Sequence, residues 1–279
     1  MQAKQYEEDK KTAACPMSQT AVVQMDFSEN YTCVAQDEIQ SAHWNQGQVT
    51  LYTSVSWFRD QIISHVVVSD YMHHSKTSTV VFTAEVLAKL PPDVTEVKIW
   101  TDGPASQFKN KYVVTAMKEL SHNCHDVKLI WILFATSHGK GPVDGVGGTL
   151  KRTAANKVRS RQCIINGMTD FVATVKDSSI TVTCMTADQV VQHECDLHVE
   201  NIFKEAKAIK GISNFHCFEW QHDMIRTKQY SSEVPRVMPN VITTAAQNTS
   251  SGGEVGAPEA MTGPTVSVST EISHWYAVY

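Results

Sequence analysis

Three aspartates follow apolar, strand-like segments at the points where those segments end. Asp26 comes directly after the β-branched run 20–25, and Asp102 comes directly after the run 96–101. Asp144 lies beyond a third apolar run, in the loop that opens the next predicted helix. Because the functional sites of α/β sheets form beyond strand ends, we expect the three carboxylates to meet at one edge of the sheet.

Three carboxylates on separate elements suit phosphodiester chemistry that uses two divalent metal ions. Such ions stand roughly 3.5–4 Å apart, activate the nucleophile and stabilise the leaving oxygen. Mg²⁺ prefers carboxylate oxygens and keeps waters and substrate phosphates as further ligands. The predicted cofactor is therefore a pair of Mg²⁺ or Mn²⁺ ions, with Asp26 bridging both and with Asp102 and Asp144 each holding one. A nucleotide cofactor is not expected, because the sequence lacks a GxxxxGK[ST] phosphate-binding loop.

The elements that would position these aspartates show strand and helix patterns in turn. Strand-like segments are predicted at 20–25, 48–58, 65–69, 96–101 and 127–135. Helical spacing is predicted at 78–90, 107–121 and 145–161. Three strands followed by helix, strand, helix, strand and helix form the element order of the RNase H-like fold. We therefore predict an α/β protein: an RNase H-like mixed sheet flanked by helices, with a helical C-terminal extension and a disordered tail.

The same patterns divide the chain into five segments. They are a polar N-terminal segment (1–18), frayed or part of a helix, the RNase H-like core (19–162), a C-terminal extension of the core (163–230), a disordered linker (231–272) and an aromatic strand pattern (273–279). The linker is predicted from its content of Ser, Thr, Gly, Pro and Ala. The final segment suggests the start of a small β domain that the chain would truncate.

Composition restricts the class of protein and its compartment. The net charge of −5 excludes a basic field over the whole molecule, but segment 138–161 carries six basic residues against one acidic residue. Seven cysteines without a CxxC pair are typical of reduced thiols. No apolar run approaches the roughly 20 residues of a membrane span, and the charged N-terminus does not resemble a signal peptide. These features predict a soluble intracellular protein, and phosphodiester chemistry on DNA would place it in the nucleus, with the cytoplasm as its location before import.

Three sequence blocks resemble a eukaryotic DDE/D-type transposase family that is widespread as transposon-derived proteins of animals. The blocks are VVQMDFSENY (22–31), WTDGPASQFKNKY (100–112) and SHGKGPVDGVGGTLKR (137–152), and the resemblance spans about residues 20–220. It implies an RNase H-like catalytic core that cuts and joins DNA with divalent metal ions. It also implies Asp26, Asp102 and Asp144 as the catalytic metal ligands. Many such enzymes use Glu as the third ligand, whereas this chain has none between Glu119 and Glu194.

Further polar residues near the aspartates are candidates for substrate contacts. His138 could orient the nucleophilic water or contact the scissile phosphate, and Lys140 could pair with a phosphate. The alternative for His138 is a loop residue that caps a strand end. Gln107 and Asn110 could hydrogen-bond DNA near the metals, and the alternative is that they cap or solvate the helix that they open. The predicted DNA contacts on the basic helix are Lys151, Arg152 and Lys157, with a solvated helix face as the alternative.

Three hypotheses for function follow from these residues. The first is transposase-like cleavage and strand transfer of DNA by two metal ions held by three aspartates. The second is a catalytically silent, domesticated transposase that binds DNA or chromatin. The third is a different metal-dependent nuclease on this fold that acts on RNA or branched DNA. All three take a nucleic acid as the partner and are compatible with a homo-oligomer, and none needs a membrane.

Overall fold

A computed structural model describes residues 2–33, 47–134, 141–221 and 224–229, together with the backbone of 236–238. Residues Met1–Thr243 form one compact unit. The second unit, Thr244–Tyr279, lies outside the described residues, as do the predicted β-domain start (273–279) and most of the predicted linker (231–272). None of the described helices has the length and apolar character needed to cross a bilayer.

One sheet contains all the described strands. They are β1 (Thr20–Thr32), β2 (Gln48–Phe58), β3 (Gln61–Ser69), β4 (Glu96–Thr101), β5 (Lys128–Leu133), β6 (Thr181–Met185), β7 (Cys217–Gln221), β8 (Met224–Lys228) and β9 (Arg236–Met238). The helices are α1 (Gln2–Ala13), α2 (Lys76–Leu87), α3 (Lys111–Asn123), α4 (Pro142–Arg159), α5 (Met168–Val175), α6 (Ala187–Asp196) and α7 (Val199–Glu205). A 3₁₀ turn follows at Ile212–Asn214.

The strand order is β6-β3-β2-β1-β4-β5-β7-β8-β9. Strands β1, β4 and β5 are parallel, and β2 runs antiparallel between β1 and β3. This central order of five strands is the RNase H-like arrangement, so the predicted fold class is confirmed. The segment predicted as a C-terminal extension supplies α5 to α7 and adds strands on both sides of the five central ones, because β6 pairs with β3 and β7 pairs with β5. Strand β9 pairs with β8 and falls within the segment predicted as a linker.

Helices cover both faces of the sheet. Val23 and Met25 of β1 point to the face that packs against α2 and α3, with α6 and α7 beside these helices. Val22 points to the opposite face, which packs against α1, α4 and α5. Successive side chains of a strand alternate between faces, so Gln24 and Asp26 lie on the same face as Val22.

The N-terminal segment forms a packed helix, which is one of the two alternatives predicted for it. The buried residues Gln2, Tyr6, Asp9 and Ala13 of α1 recur at helical spacing along one stripe. The Tyr6 hydroxyl donates to Gln24 Oε1 at 2.7 Å, and Asp9 forms an ion pair with Lys98 at 2.8 Å. Asp9 also accepts a hydrogen bond from the indole of Trp100 at 3.2 Å. These contacts attach α1 to β1 and β4 beside the candidate site.

The starts of α3 and α4 differ from the predicted ones for local reasons. Asn110 accepts hydrogen bonds from the amides of Tyr112 and Val113, so α3 begins at Lys111, four residues later than predicted. Helix α4 begins earlier than predicted, at Pro142, whose fixed φ and missing amide hydrogen suit the first turn of a helix. The earlier start places Asp144 in that first turn.

Candidate functional site

Strand register places Asp26 and Asp102 next to each other. Met25 of β1 is paired with Thr101 of the parallel strand β4, and each aspartate is the next residue of its chain. Trp100 packs on the face that holds α1 and α4, so strand alternation directs Asp102 to the face that holds Asp26. Neighbouring strands lie about 4.8 Å apart, which brings the two carboxylates within a short distance of each other.

Helix α4 brings the third aspartate to this place through two close approaches to β1. A Cβ atom at Gly141 would lie 2.5 Å from Gln24 Nε2, and one at Gly147 would lie 2.6 Å from Ser28 Oγ. Gln24, Asp26 and Ser28 share one face of β1, so the first turns of α4 run along this face. Asp144 lies between the two glycines and is therefore held over Asp26.

The electrostatics of the three carboxylates agree with this placement. Burial raises the pKa of Asp26 to about 7, and the negative charges of Asp102 and, to a smaller extent, Asp144 add to the rise. The amide of Phe27 donates to Asp26 and opposes it. Burial and the charge of Asp144 also raise the pKa of Asp102. The three carboxylates are therefore close enough to interact electrostatically, and we call Asp26, Asp102 and Asp144 the acidic cluster.

The raised pKa of Asp26 predicts an unusual pH dependence of stability. The folded protein holds the Asp26 proton more tightly than the unfolded chain does, so stability falls as pH rises from about 4 to about 7. Asp102 and Asp144 are the charged groups that face Asp26, and their negative charges add to the rise of its pKa. In metal-free buffer at pH 8, Asp26→Asn should have a higher urea midpoint than the wild type. Its free energy of unfolding should be higher by on the order of 2 kcal/mol. At pH 4 the two should unfold together, and an equal difference at both pH values would contradict the assignment.

The donor set fits a hard divalent cation. Carboxylate oxygens are the ligands that Mg²⁺ and Mn²⁺ prefer, and a bound cation would offset the repulsion within the cluster. Asp144 has a competing role, because its Oδ2 accepts the Gly141 amide at 3.0 Å and caps α4. Within the described residues no group of three or more His, Cys, Asp or Glu side chains is arranged to hold a metal ion. Metal binding by all three aspartates would therefore require the side chains of the cluster to rearrange.

Of the other predicted site residues near the cluster, two lie outside the described part of the chain and two lie in the loop before α3. His138 and Lys140 lie outside the described residues. Asn110 uses its side chain inside the protein, where it caps α3 and donates to the carbonyls of Ala105 and Gln107. These contacts fit the capping alternative for Asn110. Gln107 lies in the same loop and is half-buried.

The basic residues of α4 have contacts within the protein. Lys151 donates to the carbonyl of Glu29 at 3.1 Å. Lys157 donates to the carbonyl of Thr174 at 2.8 Å and lies 3.5 Å from Asp177, so it ties α4 to the end of α5. Arg152 is exposed. The predicted DNA-binding role of these three residues stays a prediction.

Two site residues were not predicted from the sequence. Gln24 lies on the face of β1 that carries Asp26, and its side chain accepts the Tyr6 hydroxyl at 2.7 Å. Its place two residues before Asp26 in a strand was a usable signal, because alternate residues share a face. Tyr6 could not be found in this way, since no local pattern connects α1 with β1.

Comparison with protein-family models assigns the chain to a family. The model described as a domain of unknown function (DUF8701) matches residues 2–231. The chain belongs to the DUF8701 family. The matched range begins with α1, so the N-terminal helix is part of this DUF8701 domain, and it ends after β8. No curated protein matches the chain.

Among solved structures, the chain is similar to the human cytomegalovirus terminase nuclease domain, soaked with Mn and bound to an inhibitor. The identity is 12%, the TM-score is 0.25, and the match covers 72% of this chain and 84% of the viral one. A TM-score this low carries no argument about the DUF8701 domain. Its fold follows from its own strand order.

Proposed function

We propose that this DUF8701 protein cleaves DNA phosphodiester bonds and joins DNA strands with divalent metal ions, as transposases of the DDE/D type do. The observation that carries the proposal is the proximity of Asp26, Asp102 and Asp144 on one face, in the middle of β1, directly after β4 and in the first turn of α4. The resemblance of the sequence blocks around these aspartates supports the same chemistry.

Each aspartate has a distinct structural setting for this role. Asp26 is fixed on the central strand, where Thr53 of the neighbouring strand donates to its backbone carbonyl at 3.0 Å. Asp102 leads into a loop, and Asp144 lies on the first turn of a helix. Asp26 would therefore hold both ions, with Asp102 and Asp144 holding one each. When bound, Mg²⁺ or Mn²⁺ supplies the activated oxygen nucleophile and stabilises the charge of the leaving oxygen.

Metal titration of the full chain tests this proposal. We expect calorimetry with Mn²⁺, in the presence of a short DNA duplex, to show saturable binding by the wild type. Asp26→Asn and Asp102→Asn should each weaken the binding at least tenfold, because each removes a charged ligand from the cluster. Glu29→Gln is the matched control, since Glu29 is an exposed carboxylate three residues beyond Asp26. Binding that all variants share, or no binding at millimolar Mn²⁺, would refute the metal site.

The structure also contains an observation that favours the catalytically silent alternative. Asp144 caps its own helix, and the described residues hold no assembled metal-binding group. A protein of that kind would bind DNA or chromatin equally well with and without Mn²⁺ and would leave the DNA intact. Strand joining separates the transposase-like reaction from simple hydrolysis by a nuclease that acts on RNA or branched DNA. For each of these DNA-directed roles we expect the protein in the nucleus.

A further inference from the structure

A lysine-rich surface lies where the start of α3 meets the segment after α7. Lys109 Nζ donates to the carbonyl of Ser213 at 2.6 Å, and Lys111 Nζ donates to the carbonyl of Ala206 at 2.9 Å. These contacts hold segment 206–213 against α3. The same segment carries two exposed lysines. We call the set the α3 cationic surface, and its members are Lys109, Lys111, Lys207 and Lys210.

Among the residues that the structure describes, no carboxylate forms an ion pair with any of the four lysines of this surface. Elsewhere lysines are paired, for example Lys128 with Glu96 at 2.8 Å. The neighbouring Lys204 is paired with Glu200 at 2.8 Å, and those two charges cancel. Glu205 is the single acidic residue within 204–213, so the surface keeps a clear positive excess.

Aromatic side chains extend the same surface towards α2. Lys76 Nζ lies 3.4 Å from the ring centroid of Tyr112 and 5.0 Å from that of Phe203. Lys111 Nζ lies 4.9 Å from the ring centroid of Tyr112. Cation–π contacts of this kind hold the ammonium groups in place without cancelling their charge. Lys76 thus contributes a fifth positive charge next to the α3 cationic surface.

The surface and the acidic cluster share one edge of the sheet, because Lys109 lies in the loop that runs from Asp102 to α3, although α3 and α7 pack on the opposite face. Thr101, which precedes Asp102, is paired with Leu133 at the end of β5, and the Leu133 amide donates to the carbonyl of His216 at 2.8 Å. Lys109 lies close enough to His216 to contribute to lowering the pKa of that imidazole. Two strand spacings of about 4.8 Å place His216 roughly 10 Å from Asp102.

We propose that the α3 cationic surface binds the phosphate backbone of the DNA duplex on one side of the phosphate that enters the acidic cluster. This inference rests on the proposed function, because it places the scissile phosphate at Asp26, Asp102 and Asp144. Unpaired lysines bind phosphates and release condensed counterions, which makes the affinity fall steeply with salt. The acidic cluster repels phosphates, so a positive surface next to it would supply the attraction that draws the substrate in.

Salt-dependent DNA binding by the full chain tests the inference. The Asp26→Asn background prevents cleavage, and fluorescence anisotropy reports binding of a labelled DNA duplex over a range of salt concentrations. Lys207→Gln together with Lys210→Gln should reduce the slope of log affinity against log salt by about 2. The control is Lys11→Gln together with Lys176→Gln. It changes the net charge equally, at an exposed lysine near the end of α1 and at one directly after α5.

The outcomes separate this inference from the proposed function. An unchanged slope in the Lys207 and Lys210 variant, or an equal change in the control, would overturn the inference even if Mn²⁺ binds. An absence of DNA binding at low salt would overturn it as well. A slope lowered only in the Lys207 and Lys210 variant would support the surface. That support would hold even if the metal titration failed and the proposed cleavage had to be abandoned.

Discussion

We expect Asp26→Asn and Asp102→Asn each to lower the rate of Mn²⁺-dependent DNA cleavage by about 10³-fold or more. Asp26 lies within β1, Asp102 directly follows the adjacent parallel strand β4, and both contribute negative charge to the cluster that a divalent cation would occupy. An amide keeps the shape of the side chain and removes that charge. The measurement is nicking of a supercoiled plasmid by the full chain at saturating Mn²⁺, followed over time.

Two controls make this result specific to the acidic cluster. Glu29→Gln removes an exposed carboxylate near Asp26 and should leave the rate within about twofold. Asp26→Asn should be at least as stable as the wild type at the assay pH, so a lost rate would not reflect unfolding. Equal nicking by the wild type and both aspartate variants would show that the activity comes from another site or from a contaminating nuclease.

The second large effect is expected at Gly147, where α4 approaches β1. A Cβ atom at Gly147 would lie 2.6 Å from Ser28 Oγ and 3.3 Å from Thr53 Cγ2, whereas one at Gly148 would meet nothing within 4 Å. Gly147→Val should therefore cost about 3 kcal/mol through overpacking against the sheet. Gly148→Val should change stability by less than about 0.5 kcal/mol, because valine and glycine have similar helix propensities.

Urea denaturation of the two valine variants measures this difference, with circular dichroism as the signal. A displaced α4 would also carry Asp144 away from Asp26, so Gly147→Val should bind Mn²⁺ more weakly than Gly148→Val does. Equal denaturation midpoints for the two variants would show that α4 does not approach β1 as closely as Gly147 indicates. The comparison therefore tests the packing that positions the third aspartate.

Local sequence patterns were sufficient for the central strands and for the place of Asp102 directly after β4, and the order of strands and helices is typical of an RNase H-like sheet. The prediction that the first strand ends before Asp26 was wrong, because β1 goes on pairing with β2 as far as Thr32 and Asp26 lies in the middle of it. The parallel register of β1 and β4 nevertheless brings Asp26 next to Asp102. The capping role of Asn110 was likewise among the predicted alternatives, because Asn is a preferred N-cap residue.

The remaining features depend on contacts between residues that are distant in the sequence. The polar segment before β1 is a helix because Tyr6 and Asp9 find partners on β1 and β4. The lysines of the α3 cationic surface lie at the start of α3 and after α7, and these segments meet only in the folded chain. Spacing along the chain determined which residues could form the sheet and its acidic edge. The tertiary structure alone decided which charges are paired, because two charges form an ion pair only when folding brings them within a few ångströms of each other.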